Sequence, residues 1–347
     1  MYRMPLNTEH QACVAYIRSL PIDQHPEVYG LHENADITKD NQESMQLLDG
    51  ALLTQPQITG VGVERDVDAM VFNLCDDILS KMRLPFDVVE VAKNYPVLYM
   101  NSMNTVLRQE LIRFNNLLLV IRNTLADTQK AIKGLVLMSA ELEEVSTSMS
   151  IGKVPGAWNK RSYPSLKPLG SYVNDLIERL EFFQNWIDFD APNVFWISGF
   201  FFTQSFLTGV LQNFARKNKI PIDRVDFEFE VTAFETSVNT APSYGVYIKG
   251  LFLEGARWNR GEKTIDESKL KIMFDVLPII WLQPGEKAQF IAKSVYHCPV
   301  YKTSARRGVL ATTGHSSNFV LYILLLTIVS ESHWIKRGAA SLCQLDD

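Results

Sequence analysis

Near Pro221 the repeat of apolar side chains changes, and this limits the chain to a fold in which helices come first and strands follow. Before that point apolar residues recur every three or four positions; after it they alternate with polar ones. The stretch DFEFEVTAF at 226–234 sets Phe227, Phe229 and Val231 against Glu228, Glu230 and Thr232. That is the pattern of a strand with one wet face. Further strands are expected at 244–254, 276–282, 290–301, 308–312, 318–326 and 339–345, with turns at Asn259-Arg260-Gly261 and Pro284-Gly285. Helices followed by strands predict α+β organisation, the strands closing into a barrel or sandwich.

In the helical part, residues 8–19 read as one helix, broken by Pro21 and Pro26. A second is expected after Asp40 as N-cap, running through NQESMQLLDGALLTQ to Pro56, with a glycine-interrupted connector at 57–62. The strongest pattern is Leu107, Leu111, Phe114, Leu118, Ile121 and Leu125, continued by Ile132, Leu135, Leu142 and Met149. Ser102 offers an N-cap, and Gly152 and Pro155 mark the stop. Thr128, Ser139 and Ser146 fall on the seam and Gly134 interrupts it, so the run is one bent helix or two or three shorter ones. Leu169, Val173, Leu176, Ile177, Leu180 and Phe183 write another helix with an acidic exposed face. A last one runs from 203 or 204 to 218, with Arg216 and Lys217 where cations suit the helix dipole.

A chain of 347 residues suggests two or three compact units, and 46% apolar with 21% charged residues is globular composition. The formal charge of -5 argues against a general nucleic-acid binder, which needs a basic face. Cys13, Cys75, Cys298 and Cys343 show no metal-ligand spacing, which is read as a reducing, intracellular setting. The start, MYRMPLNTEHQ, has no apolar stretch of secretory-signal type. The longest apolar run, FVLYILLLTIV at 319–329, is eleven residues, short of the roughly 20 that span a bilayer, and reads as a buried strand. Neither nucleic acid nor membrane is expected as a partner.

The motifs of phosphate and acyl chemistry are absent. There is no GxxxxGK[ST], no GxSxG, and Gly60-Val61-Gly62 does not continue into GxGxxG. His10, His25 and His32 lack the i, i+4 spacing of a helical zinc site. His297-Cys298 and His315-Ser316 would meet only if their strands pair, as a Cys/His dyad or partial metal site. Glu143-Glu144 and Glu228 with Glu230 read as solvated faces. No catalytic, cofactor-binding or metal-ligating residue is assigned. The candidate interface residues are Trp196, Phe200, Phe201, Phe202 and Phe206, an aromatic cluster with Phe195 around Gly199, together with Arg306 and Arg307, the densest basic pair of the β part. The cluster is read as core or as a junction between the helical and β parts.

Several segments together resemble the C-terminal region of dynein heavy chains. They are YGLHENADI at 29–37, YMNSMNTVLRQE at 99–110, AIKGLVLMS at 131–139, VPGAWNKRSYPSLKPL at 154–169 and WISGFFFTQSFLTGVLQNFARK at 196–217. The β half adds GVYIKGLFLEGARWNR at 245–260, YHCPVYKTSARRGVL at 296–310, TTGHSSNFV at 312–320 and HWIKRGAASLCQLDD at 333–347. The CPVYKTSxRRGxL and TTGHSxNFV stretches look like the axonemal, or ciliary, branch, with an inner-arm type expected. The resemblance implies that residues 1–60 are the helical small subdomain ending the sixth AAA+ module. Residues 61–220 would be the helical part of the C-terminal domain, and 221–347 a small antiparallel, incomplete β-barrel.

By the same resemblance the chain is a non-catalytic portion that packs on the AAA+ ring and supports or regulates ATP-driven, microtubule-based ciliary movement. ATP and Mg would belong to the parent motor. Partners would be the remaining AAA+ modules of the same heavy chain and, through the parent complex, dynein intermediate and light chains and microtubules. The implied location is cytoplasm, cytoskeleton and cilium axoneme. A fragment and a shortened product that acts as a stand-alone axonemal interaction protein are both compatible with the sequence, and a ligand-binding β-barrel is the remaining alternative. One departure from the family is LLLTIVS at 324–330, where a Leu-Pro and polar residues are usual; another is Ser341, where an apolar residue is expected. Both bear on the register of the last hairpin.

Overall fold

A computed structural model describes residues 9–54, 61–290, 294–309 and 317–346. Residues 57–60 of the connector expected at 57–62, most of the strand expected at 308–312, and His315 lie outside the described residues; Val61 and Gly62 belong to a helix rather than to the connector, and Gly308 and Val309 belong to no strand.

The N-terminal part is helical but for one short strand between the last two helices: α1 His10–Ser19, α2 Ala35–Thr54, α3 Val61–Lys81, α4 Val88–Asn94, α5 Ser102–Ile132, α6 Ala140–Ser150, α7 Gly156–Asn159, α8 Leu169–Phe189 and α9 Thr203–Asn218. Asp40 is not a cap. The helix begins five residues earlier because Gly30, at φ 77, ends the preceding turn, and the Ala35 and Asp36 amides reach back to His32 and Glu33. Ser102 is likewise displaced as a cap by Asn101, whose side chain accepts from the Met103 amide at 3.1 Å. The Ser102 hydroxyl instead donates to Gln212 of α9 at 2.9 Å. The long apolar run divides into two helices, because Gly134 adopts φ 72 and Ser139 caps the next one.

The strands are β1 Val194–Trp196, β2 Val225–Val231, β3 Val246–Lys249, β4 Phe252–Glu254, β5 Arg257–Asn259, β6 Thr264–Asp266, β7 Phe274–Val276, β8 Ile280–Glu286, β9 Val295–Tyr301, β10 Phe319–Leu326 and β11 Ala340–Leu342, with helix α10 Glu331–Arg337 before the last. They form sheets in the orders β1-β3-β8-β2, β10-β9-β11-β4-β7 and β5-β6. This is the α+β organisation that the change of period implies. Among the described residues no sheet closes on itself, and two pairs, β1 with β3 and β11 with β9, are parallel rather than antiparallel.

Pro284-Gly285 is not a turn but lies inside β8, opposite Phe227 and Asp226. Proline is tolerated there because β3 pairs with β8 only as far as Leu282, leaving a neighbour on one side. The altered stretch keeps β10 in step with β9: from Leu321 to Leu326 the antiparallel pairing runs without a shift, Leu324 facing His297 and Leu326 facing Val295. Ile328 and Val329, just beyond, are exposed, and Ser341 is fully buried in β11.

One apolar core runs from Val71 of α3 to Cys343 and takes side chains from both helices and sheets. Residues 9–54 stand outside it. Among their described side chains only Pro26 and Asn34 are buried.

Candidate functional site

The helical and β parts meet at residues 194–202. Here β1 lies parallel to β3, a short turn at Ile197–Gly199 follows, and α9 starts at Thr203. The turn is held from the helical side by two buried charged groups. On α8, Arg179 is 2% exposed, and its Nε donates to Asp175 Oδ2 at 2.7 Å, one helical turn away. The Tyr163 hydroxyl donates to the same oxygen at 2.7 Å. The guanidinium lies 3.9 Å from the Tyr163 ring centroid and 5.4 Å from that of Trp196, and its Nη1 donates to the Ser198 carbonyl. Ser198 Oγ donates onward to the Gly250 carbonyl, between β3 and β4. A run of polar contacts thus joins α8 to the sheet.

The second group is Glu110 of α5, with no exposed surface. Its carboxylate accepts from the Phe201 amide at 2.5 Å and the Phe202 amide at 3.1 Å, and from Arg113 Nη1 at 3.0 Å. Burial pushes this carboxyl above its ordinary range, against the opposing pull of those donors. A raised folded-state value means that the native state holds the proton more tightly than the unfolded protein does. The resulting stabilisation is present below the ordinary carboxylate pKa of about 4.3 and is lost as pH rises through the folded value. Replacing Glu110 by Gln should remove this dependence. Denaturant titrations at pH 4.5 and 7.5 should therefore show wild type losing stability relative to E110Q at the higher pH; parallel profiles would contradict the assignment.

The aromatic cluster is mostly interior. Phe195, Phe200 and Phe206 are buried, with Phe200 and Phe206 stacked at 4.5 Å. Phe201 is half-buried, edge-on to Phe114 at 5.5 Å, and Trp196 is half-buried against Phe182. Phe202 is the exposed member, covered on one side by Arg113 at 5.1 Å. It opens onto a groove of about 580 Å³ between α5 and α9, also lined by Val97, Leu98 and Tyr99. A Cβ on Gly199 would sit 2.7 Å from Trp196 Cε3, so this glycine allows the close approach that forms the turn. Gly199→Val should cost about 1–3 kcal/mol through overpacking, read as a lower melting temperature.

Arg306 works inside the β part. It is half-buried, pairs with Glu254, and donates to the Gly338 carbonyl at 2.9 Å. Arg307 is exposed, and its carbonyl accepts from Asn318 Nδ2 at 3.1 Å. Lys302 is half-buried, and burial pulls its ammonium below the usual range. The structure does not bring the two arginines and the aromatic cluster into one site.

His297 and Cys298 point to opposite faces of β9. His297 is exposed, with Nδ1 2.9 Å from Glu331 Oε1, whereas Cys298 is fully buried. They form no dyad. Burial also pushes the Cys298 thiol up, and that of Cys343 to about 12, which leaves both protonated at neutral pH. Among the described residues no group of three or more His, Cys, Asp or Glu could hold a metal ion, and no helix is long and apolar enough to cross a membrane.

Residues 41–343 match the family model for the C-terminal domain of dynein heavy chains. The chain belongs to that family. Its whole length is similar to axonemal dynein heavy chains: 61% identical to dynein axonemal heavy chain 3 of Mus musculus, over 100% of this chain and 8% of that protein. Identity is 51% to dynein axonemal heavy chain 12 of Homo sapiens, over 100% of this chain and 11% of that protein. To dynein axonemal heavy chain 1 of Rattus norvegicus it is 46%, over 99% and 8%. The protein thus spans about a tenth of the length of these relatives. In this dynein C-terminal domain the helix–sheet junction is built on Glu110, Asp175 and Arg179, which the reading of the sequence did not single out. A signal was there. Arg179 falls between Leu176 and Phe183 on the apolar stripe of α8, and Glu110 between Leu107 and Phe114 on that of α5.

Proposed function

We propose that this protein is the non-catalytic C-terminal portion of a dynein heavy chain, packing on the AAA+ ring of the motor and supporting ATP-driven, microtubule-based ciliary movement. In this reading residues 1–60 are the helical small subdomain of the sixth AAA+ module, 61–220 the helical part of the C-terminal domain and 221–347 its β part. ATP and Mg act elsewhere in the parent motor. The remaining modules of the same heavy chain are the direct partners. Dynein intermediate and light chains and microtubules are reached through the parent complex, in the ciliary axoneme, as part of an inner-arm type.

The observation that carries the reading, beside the family match, is the incomplete packing of residues 9–54. Helix α1 has no buried side chain, and on α2 Met45, Leu47 and Leu48 are 61%, 75% and 60% exposed. Helices of this kind are stabilised by burying an apolar face, so these residues call for a further partner surface. Calorimetric titration of the protein with MgATP tests the non-catalytic part. No binding heat is expected, and a micromolar dissociation constant would overturn it.

A further inference from the structure

Helix α5 shows solvent an unusual face. Through its first seven turns the exposed positions are Gln109, Ile112, Asn116, Leu119 and Asn123, and every other residue up to Gln129 is buried or half-buried. Their spacing is three, four, three, four. No charge lies among them, and Ile112 and Leu119 are 47% and 49% exposed. The outward stripe of a surface helix is ordinarily charged, as on α8, where Glu178, Glu181 and Asp188 are exposed. The α5 stripe instead has an uncharged, heptad-spaced seam: Ile112 and Leu119 lie seven residues apart, with the amides Gln109, Asn116 and Asn123 filling the spacings of three and four around them.

The borders of the stripe carry two arginines and, toward its C-terminal end, Asp127, which pairs with Lys130 at 2.9 Å. On a helical projection Arg113 lies to one side and Arg122 to the other. Both are half-buried, Arg113 beside Glu110 and Arg122 donating to the Met82 carbonyl at 3.1 Å. At its N-terminal end the stripe runs into the groove lined by Gln109, Phe202, Leu98 and Tyr99.

We infer that this face of α5 is the seat of a partner α-helix from another module of the same heavy chain. That helix would carry an uncharged seam with Leu, Ile or Ala at spacings of three and four, and acidic residues along its flanks. The spacing fits a shallow crossing of about 20°, in which a partner's side chains drop between Ile112, Asn116 and Leu119. The flanking arginines select acidic neighbours and make association weaken with salt. This inference rests on the proposed packing on the ring and names the surface that does it.

Hydroxyl-radical oxidation of Ile112 and Leu119 in the 347-residue protein alone and in the full heavy chain tests it. Oxidation in the heavy chain should be about tenfold lower, as for residues in a desolvated interface. Equal oxidation in both would overturn the inference. A second arm adds the 347-residue protein to heavy-chain ring modules lacking this region, as wild type and as Ile112→Lys with Leu119→Lys. The variant should keep its melting temperature and bind about tenfold or more weakly, since each 1.4 kcal/mol is a factor of ten. Unchanged affinity would sink the α5 seat while leaving ring packing in place. If wild type itself fails to bind the ring, ring packing fails and the α5 seat with it.

Discussion

Arg179→Ala should destabilise the C-terminal domain by about 3–5 kcal/mol, the usual cost of breaking a buried ion pair by removing one partner. Among the described residues the substitution leaves the buried Asp175 carboxylate with the Tyr163 hydroxyl at 2.7 Å as its side-chain donor, and it removes the Arg179 donor from the Ser198 carbonyl. It also opens space between the Tyr163 and Trp196 rings, over which the guanidinium lies. Because Ser198 is the link from α8 to Gly250, the damage should spread into the sheet. Equilibrium denaturation gives the size of the effect. Replacing Asp175 and Arg179 together by apolar residues should recover much of the loss, since buried pairs often exchange for hydrophobic ones at little cost. A double variant no better than Arg179→Ala would show that the packing of the guanidinium matters more than the charge it balances.

Asn34→Ala should release residues 9–54 from the β part, at a cost of about 3 kcal/mol summed over the groups it orphans. Asn34 is 7% exposed, and its side chain accepts from the Lys271 amide at 2.8 Å and donates to the Lys269 and Ile272 carbonyls, both at 2.9 Å. The receiving loop is shaped for it, with Lys271 at φ 64. A weaker tie comes from Arg337, whose Nη1 reaches the Gly30 carbonyl at 3.3 Å. The side-chain amide is thus the main clasp between the N-terminal helices and the sheets. Asn34→Asp serves as the sharper control. It keeps an acceptor for the Lys271 amide but sets a carboxylate against two carbonyls, so it should do no better than Ala. Hydrogen exchange over residues 269–272 should rise in both variants, while unchanged protection would place the clasp elsewhere.

What could be read from the sequence was whatever repeats along one element. The periods of 3.6 and 2 placed α5, α8, α9, β2 and β10, because each buries a face whose pattern is written locally. Misplacements came where a turn's own geometry or a distant strand, rather than the repeat along one element, decides. Asp40 looked like a cap, but Gly30 and the carbonyls of His32 and Glu33 start that helix earlier. Pro284-Gly285 looked like a turn, and only the short reach of β3 shows why it survives inside β8. The same limit applies to the junction. The aromatic cluster around Gly199 was visible as composition, yet its fastening by Glu110 and Arg179 depends on partners 91 and 19 residues away. Nor does sequence pairing reveal Asn34, whose acceptors lie 235 and 238 residues on.

In the function proposed above, this protein is a docking end of a motor ring and brings no nucleotide site of its own. Size-exclusion chromatography coupled to light scattering tests it most directly, using the 347-residue protein mixed with ring modules of the same heavy chain from which this region has been removed. A one-to-one complex is expected, forming equally whether or not the 347-residue protein is first incubated with MgATP. Two separate peaks at micromolar concentrations of both components would contradict it.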